Sequence, residues 1–407
     1  MDIRPILSTL RRHKTAASLI VIEIALSCAI ICNAIFLINE RVEQMQRPSG
    51  VATNELVRVQ ITSIADPDGK ATTQSDLALL RGLPGVKAAT AINQVPYGNS
   101  SWNSGVNLVR DQPFPTANAT IYMGQEKVIE TLGLKLVSGR DFNADEYVDY
   151  KTLNEPNAKI AIPSAIVTRA LAEKLFPGQN ALGKSFYSWG EEPTRIVGIV
   201  EHLIRPSDRG PDWDNSVMYP IRVTYETGGN YLIRVDPSRR NETLKAATAA
   251  LEKNGPTRIL LTNNTKTMEE LRDRYYRPQR TMMWMLVGVC IALLVVTALG
   301  IVGLASFWVQ QRTKQIGIRR ALGATRGQVL RYFQTENFLL ATLGIVIGMV
   351  LAYGMNQLLM SLYELPRLPL VYLPIGAATL WLLGQIAVFG PARRAAAVPP
   401  AVATRSV

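Results

Sequence analysis

The sequence predicts an α+β membrane protein, with four transmembrane helices and a large two-subdomain α+β domain held outside the cytoplasm between the first and second of them. Three observations predict it. Apolar runs at residues 15–39, 281–311, 337–363 and 368–392 are long enough to cross a hydrocarbon core of about 30 Å at about 1.5 Å per residue. Residues 40–280 are polar and alternate strand-like with helix-like stretches. Basic residues crowd one side of the runs: 13 Lys and Arg fall on residues 1–14, 312–336 and 393–407, against one on the short loop before the fourth run. Positive charge beside spans is retained in the cytoplasm, so those three segments are expected inside, and both termini with them.

Composition narrows the function. The chain has 407 residues and a net charge of +12, with a mean hydropathy of +0.08. Residues 40–280 hold 30 basic and 28 acidic residues, so most of the excess lies at membrane flanks. That is a topology signal rather than a nucleic-acid face, and no nucleic acid is expected as a partner. Cys28, Cys32 and Cys290 all fall in apolar runs, so no disulfide staples the large domain. The two histidines, His13 and His202, lie in different segments, which leaves a metal site or a His-assisted nucleophile without support. No catalytic, metal or cofactor-binding residues are expected in this chain.

The N-terminal tail, 1–14, carries Arg4, Arg11, Arg12 and Lys14 ahead of the first span at 15–39. That run exceeds the about 7 to 15 apolar residues of a signal peptide, and no A-x-A cleavage pattern follows it. Glu23 is the ionisable residue well inside a span, which makes it a functional candidate by default. A carboxylate hydrogen-bonded within the bundle for structure alone is the favoured reading, because no opposite charge lies inside another span. Residues 40–47 continue as a polar helical stalk until Pro48, Ser49 and Gly50 break it.

The large domain, 40–280, then begins with a strand at 56–64, a helix at 75–83 and a strand at 86–93. A matching set comes late, with a strand at 231–235, a helix at 240–253 and a strand at 258–261. The two sets are expected to form one subdomain, with a turn-rich second one, about 96–221, inserted between them. Within the insert, residues 178–185 read GQNALGKS and satisfy the phosphate-loop pattern. Phosphate cradling needs a strand before that loop and a helix after it. Here a helix at 164–176 and Pro177 come before, and a strand at 186–189 after, so a helix-to-strand turn is expected. Trp102, Trp189 and Trp213, with Tyr97, Tyr187 and Tyr219, are more in keeping with core and turn filling than with a ligand surface.

Residues 268–280 are polar and helical and run directly into the second span, 281–311. Thirty-one helical residues extend about 46 Å, so this span is expected to project beyond the bilayer as a stalk. Gly300 and Gly303 mark a bend or a close helix contact. The third span, 337–363, contains Gly344 and Gly348 at a spacing that permits close helix packing. A short outer loop with Glu364, Pro366 and Arg367 leads to the fourth, 368–392, and Arg393 and Arg394 open the cytoplasmic tail, 393–407.

Between the second and third spans lies the basic segment 312–336, with Arg312, Lys314, Arg319, Arg320, Arg326 and Arg331 against one acid, Glu336. Ile316, Ile318, Leu322, Val329 and Leu330 recur at roughly helical intervals, broken by Gly317, Gly323 and Gly327. Short helices separated by turns are expected. This run, RTKQIGIRRALGATRGQVLRYFQTE, resembles the signature of the FtsX-like and MacB-like permeases of ABC transporters. The stretches VIETLGLKLVSGRDF, AIPSAIVTRALAEKLFPGQNALGKSF and RIVGIVEHL resemble the MacB-type periplasmic domain, so the resemblance covers most of the chain. The tail PARRAAAVPPAVATR also resembles the family's ending, although Pro399 and Pro400 depart from its usual form.

The resemblance implies a permease subunit in a bacterial inner membrane, with ATP and magnesium bound by a separate cytoplasmic ATPase. It makes Arg312, Lys314, Ile316, Gly317, Ile318, Arg319, Arg320, Ala321, Leu322, Gly323, Ala324 and Arg326 the ATPase-coupling residues. Of these, Ile316, Ile318 and Leu322 are expected as apolar anchors and Arg319 and Arg320 as rim charges. A second permease chain, a periplasmic adaptor, an outer-membrane channel and membrane lipid are the further partners it implies. In that family ATP-driven movement of the coupling segments passes through the stalks to the periplasmic domains, and the implied work is export of drugs, peptides or other periplasmic substrates. Lipoprotein extraction and FtsX-like activation of cell-wall hydrolases share the coupling motif and stay open. A membrane-anchored sensory receptor is the rival of a different class, and it gives the basic segment no task.

Overall fold

A computed structural model describes residues 14–62, 68–98, 101–155, 161–189, 192–207, 210–255, 257–363 and 366–397. The tail residues Arg4, Arg11, Arg12 and His13, the outer-loop Glu364, and Pro399 and Pro400 lie outside them. The chain divides into two units: Gln46–Arg277, and the helical segments before and after it.

Within Gln46–Arg277, strands β1 (Leu56–Thr62), β2 (Val86–Ile92), β11 (Asn230–Val235) and β12 (Ile259–Leu260) lie in the order β12-β1-β11-β2. Helix α2 (Gly69–Arg81) links β1 to β2, and α6 (Arg240–Lys253) links β11 to β12. This is a split β-α-β of the ferredoxin-like kind, assembled from both ends of the domain. Its antiparallel register runs Leu56↔Arg234 to Gln60↔Asn230 and Asn230↔Ile92 to Val235↔Val86. Leu77 and Leu80 of α2 and Ala247 and Leu251 of α6 are buried against Val57, Val59, Tyr231 and Ile233, an apolar face at helical spacing meeting one at strand spacing.

The insert adds β3 (Asn103–Val106), β4 (Ala117–Gly124), β5 (Leu136–Gly139), β6 (Val148–Asp149), β7 (Ser164–Thr168), β8 (Ser185–Phe186), β9 (Thr194–Val200) and β10 (Ser216–Arg222). Short helices α3 (Val128–Leu132), α4 (Tyr150–Leu153) and α5 (Arg169–Leu175) connect them. The sheet continues β2-β4-β10-β7-β9-β5, and its two halves meet at the single pair Ile92↔Gly124. Residues 164–168 are a fully buried strand, and the helix expected from 164 begins at Arg169, where Thr168 Oγ1 caps it by accepting from Leu171 N at 3.4 Å.

The second unit holds α1 (Lys14–Gln46), the apolar length of α7 (Met268–Gln311), α8 (Thr313–Ala321), α9 (Arg326–Tyr363) and α10 (Tyr372–Ala397). Strand β13 (Lys266–Thr267) leads into α7, which opens on a capping box: Thr267 N donates to Glu270 Oε2 at 3.0 Å and Glu270 N to Thr267 Oγ1 at 3.2 Å. Stalk and span are both helical within Met268–Gln311, with Pro278 between them. Among the described residues four helices, α1, α7, α9 and α10, are long and apolar enough to cross a membrane.

Helix α1 is the centre of the bundle, with Ile24, Cys28, Ile31 and Cys32 almost wholly buried. Small residues let its neighbours close in. A Cβ at Gly344 would lie 2.9 Å from Ile24 Cβ, one at Gly348 would lie 2.5 Å from Cys28 Cβ, and one at Gly300 would lie 2.7 Å from Glu23 Oε1. Gly303 faces open space. Polar ties span the same core: Ser27 and Thr297 hydroxyls at 2.8 Å, and Asn33 Nδ2 donating to Ala352 O at 3.0 Å. No cation lies within 4.0 Å of the Glu23 carboxylate among the described residues.

Candidate coupling site

Helix α7 ends at Gln311, and Arg312, with φ −103° and ψ 9°, turns the chain into α8. From there α8 is short and ends in a Schellman turn. Gly323 takes φ +98°, its N–H donates to Arg320 O at 3.2 Å, and Ala324 N donates to Arg319 O at 3.0 Å. A residue with a Cβ is disfavoured at that φ, which is why glycine stands there. Two residues on, Thr325 and Gln328 form a capping box that starts α9: Thr325 N donates to Gln328 Oε1 at 2.9 Å and Gln328 N to Thr325 Oγ1 at 3.3 Å. The sequence LGAT at 322–325 therefore encodes a stop and a start in four residues.

The faces of α8 differ sharply. Ile316 is buried against Val329, Phe333, Ala392, Ala395 and Ala396, and Gly317 beside it is also buried. Arg312 is 8% exposed, and its Nη1 donates to both Glu336 oxygens at 3.0 and 2.8 Å. Arg312, Ile316 and Gly317, all among the expected coupling residues, are thus buried within this chain, where Arg312 and Ile316 join α8 to α9 and α10. Ile316 and Ile318 are two residues apart, about 200° around a helix, so they cannot share one face.

The outward face is made by Lys314, Ile318, Ala321, Leu322 and Arg326, all exposed, with Leu322 at 84%. Arg319 lies over the Tyr332 ring at 5.3 Å, and Arg320 Nη1 donates to Ala396 O at 3.1 Å, a cation on the last turn of α10. Between α8 and α9 a cavity of about 320 Å³ is lined by Arg312, Ile316, Arg319, Ala324, Val329, Tyr332 and Phe333. Sequence reasoning did not find the Arg312–Glu336 pair or the part played by Ala392, Ala395 and Ala396. The signal available was the isolation of Glu336 among six basic residues.

The phosphate-loop look-alike has a different local structure. The N–H groups of Gly178, Leu182, Gly183 and Lys184 donate to Glu173 Oε1, Asn180 Oδ1, Ile196 O and Ala181 O at 2.8–3.1 Å. A two-residue strand, β8, follows instead of a helix.

A family model described as the MacB-like periplasmic core domain matches residues 18–252, more than half of the chain. A second, described as FtsX-like permease C-terminal, matches residues 286–400. The chain belongs to the MacB/FtsX family of ABC transporter permeases. It is a multi-pass membrane protein with an extracytoplasmic domain, and these 407 residues carry the permease and not the ATPase.

The chain is 25% identical over 347 residues to the macrolide export ATP-binding/permease protein MacB of Agrobacterium fabrum, covering 82% of this chain and 50% of that one. It is 23% identical over 425 residues to the uncharacterized ABC transporter permease YknZ of Bacillus subtilis, covering 99% of this chain and 98% of that one. The chain thus spans about half the length of the MacB relatives it matches. The extracellular domain of YknZ from Gram-positive bacteria aligns at 16% identity with a TM-score of 0.32, over 51% of this chain and 100% of that one. Membership of this permease family implies a partner ATPase.

Proposed function

We propose that the chain is the permease of an exporter in a bacterial inner membrane, paired with a second permease chain. In this reading residues 312–336 dock on the ATPase, and both termini lie in the cytoplasm. The observation that carries it is the division of α8 into two faces: Leu322 and Ile318 stand out to solvent, while Arg312 and Ile316 lock the same helix to α9 and α10. A push on the exposed face therefore reaches both following helices through a buried ion pair and an apolar cluster. The apolar length of α7, from Pro278 to Gln311, runs into the same joint. A lever needs a stiff joint of this kind to switch between two states. The work is export of drugs, peptides or other substrates from the far side; the name of its MacB relative states macrolide export for that protein.

Leu322→Asp tests this. An exposed leucine contributes little to the fold, whereas truncating a buried anchor at an interface costs about 2 kcal/mol or more. The variant should keep the melting temperature of the parent and lose co-purification of the ATPase and stimulation of ATP hydrolysis. If it holds the partner and full stimulation, the α8 rim is not the docking face. ATPase, adaptor and substrate genes beside this one would separate export from lipoprotein extraction.

A further inference from the structure

Where β1, the loop after β2, the start of β11 and the root of α7 meet, a cavity of about 160 Å³ is lined by Arg58, Gln60, Asn93, Gln94, Asn230 and Arg274 among others. It is far larger than the roughly 15 Å³ that one water requires. Its lining contains two arginines and no acid. Arg58 is 6% exposed, and it donates from Nε to Asn230 Oδ1 at 2.7 Å and from Nη2 to Gln60 Oε1 at 2.6 Å. Both partners are neutral amides, held carbonyl-inward by their own nitrogens: Asn230 Nδ2 donates to Asn93 O and Gln60 Nε2 to Gly228 O, each at 2.8 Å. Arg274 donates from Nη2 to Asn264 Oδ1 at 2.8 Å and from Nη1 to Asn263 O. Neither guanidinium has a carboxylate within 4.0 Å among the described residues.

A buried cation is ordinarily paired. Arg258, an arginine of this domain whose side chain is also buried, follows that rule by donating to Asp76. Arg58 does not. Its burial, with Arg274 adding repulsion, lowers its pKa to about 10. Amides orient the two forks without cancelling their charge, and Arg58 Nη1 donates to no described group.

We propose that this cavity binds a small oxyanion of the phosphate class, with Arg58 and Arg274 as its two-armed clamp and the side-chain amides fixing the arms. Guanidinium forks match such oxygens with paired, charge-assisted hydrogen bonds. Arg58 stands on a central strand and Arg274 on the second turn of α7, so an anion held between them ties the root of that helix to the sheet. The proposal is independent of the coupling reading, since it concerns residues of the Gln46–Arg277 unit alone.

The test is the melting temperature of the full chain in neutral detergent, titrated with sodium phosphate against sodium chloride of equal ionic strength. A ligand of the native state raises the midpoint as its concentration passes its Kd, and a rise of about 3 °C or more in phosphate alone is expected. A second arm compares discs of phosphatidylglycerol with discs of phosphatidylcholine. A rise with free phosphate identifies a soluble ion, and one with phosphatidylglycerol alone identifies a lipid headgroup; either supports the site. Arg274→Gln, at a half-buried position, and Arg58→Gln should each abolish the response, while Arg58→Lys retains part of it. No phosphate-specific rise in either arm overturns the proposal, as does a full response in Arg274→Gln.

Discussion

Arg312 and Glu336 meet as a buried pair, a single guanidinium nitrogen donating to both carboxylate oxygens at 3.0 and 2.8 Å. They stand 24 residues apart on either side of α8 and its turn, so the contact closes a loop around the segment that carries the exposed face. Arg312 also lies over the Trp308 ring at 5.5 Å, which fixes the fork from the α7 side.

Breaking such a pair from one side strands the other charge. Glu336→Gln should therefore cost about 3–5 kcal/mol of stability and weaken coupling. Replacing both, as Arg312→Met with Glu336→Met, removes the charges together and should restore much of the loss. Thermal unfolding of the two variants decides it: a double variant no more stable than the single one would mean that the loss comes from the missing contact and not from a stranded charge.

Helix packing at α1 gives a prediction of opposite signs. A Cβ at Gly348 would come within 2.7 Å of Ala25 O and 2.5 Å of Cys28 Cβ, and backbone cannot yield as a flexible side chain does. Gly348→Ala should cost about 1–3 kcal/mol through overpacking. Gly354, on the same helix, has nothing within 4 Å, so Gly354→Ala should gain up to about 1 kcal/mol of helix propensity. Parallel unfolding curves check the pair, and equal effects at both positions would contradict the packing argument.

Local pattern carried much of this fold into the sequence, and long-range pairing did not. Helix α6 has the expected bounds because the regular polar and apolar spacing of residues 240–253 depends on nothing outside them. The expected helix at 164–176 fails over its first five residues because an apolar run as short as SAIVT has no decisive period. Ile166, Val167 and Thr168 are β-branched, and their pairing with β9 and β10 decides for a strand. At the coupling segment the turn between α8 and α9 was legible as Gly323, whereas Gly317 and Gly327, also expected as breaks, lie inside α8 and α9. Which isoleucine faces inward depends on Ala392, Ala395 and Ala396, more than 70 residues away.

In the large domain, acidity should act through Glu146. Its carboxylate accepts from both Nη atoms of Arg140 at 2.7 Å and from Asn143 N at 2.7 Å. The Arg140 fork first, then the backbone donor, hold its pKa below the usual 4.5, against the opposing effect of burial. A depressed folded pKa contributes stability that is present above the unfolded value and lost as pH falls through the folded one. Arg140 is half exposed, so the contribution stays at about 1 kcal/mol or less. Glu146→Gln should melt a few degrees below the parent, by an equal margin at pH 7 and pH 5, with the gap closing only below 4.5. A gap that closes between pH 7 and 5 would assign the effect to another group.

Lys184 closes the phosphate-loop look-alike, and its side chain is already engaged: Nζ donates to Gln179 Oε1 and lies 4.7 Å from the centre of the Phe176 ring. A phosphate-binding lysine needs an ammonium free to reach its ligand and a helix whose N–H groups point the same way. Here four loop N–H groups are already bonded, to Glu173, Asn180, Ala181 and Ile196, and Gly183, at φ +81°, serves the reversal into β8. Lys184→Ala removes one exposed hydrogen bond and one cation–π contact, together worth about 1 kcal/mol. With the partner ATPase assembled, hydrolysis and its stimulation should stay within about twofold of the parent, a change of less than about 0.5 kcal/mol in the barrier. Loss of hydrolysis in a variant that still folds and assembles would return this loop to consideration as a nucleotide site.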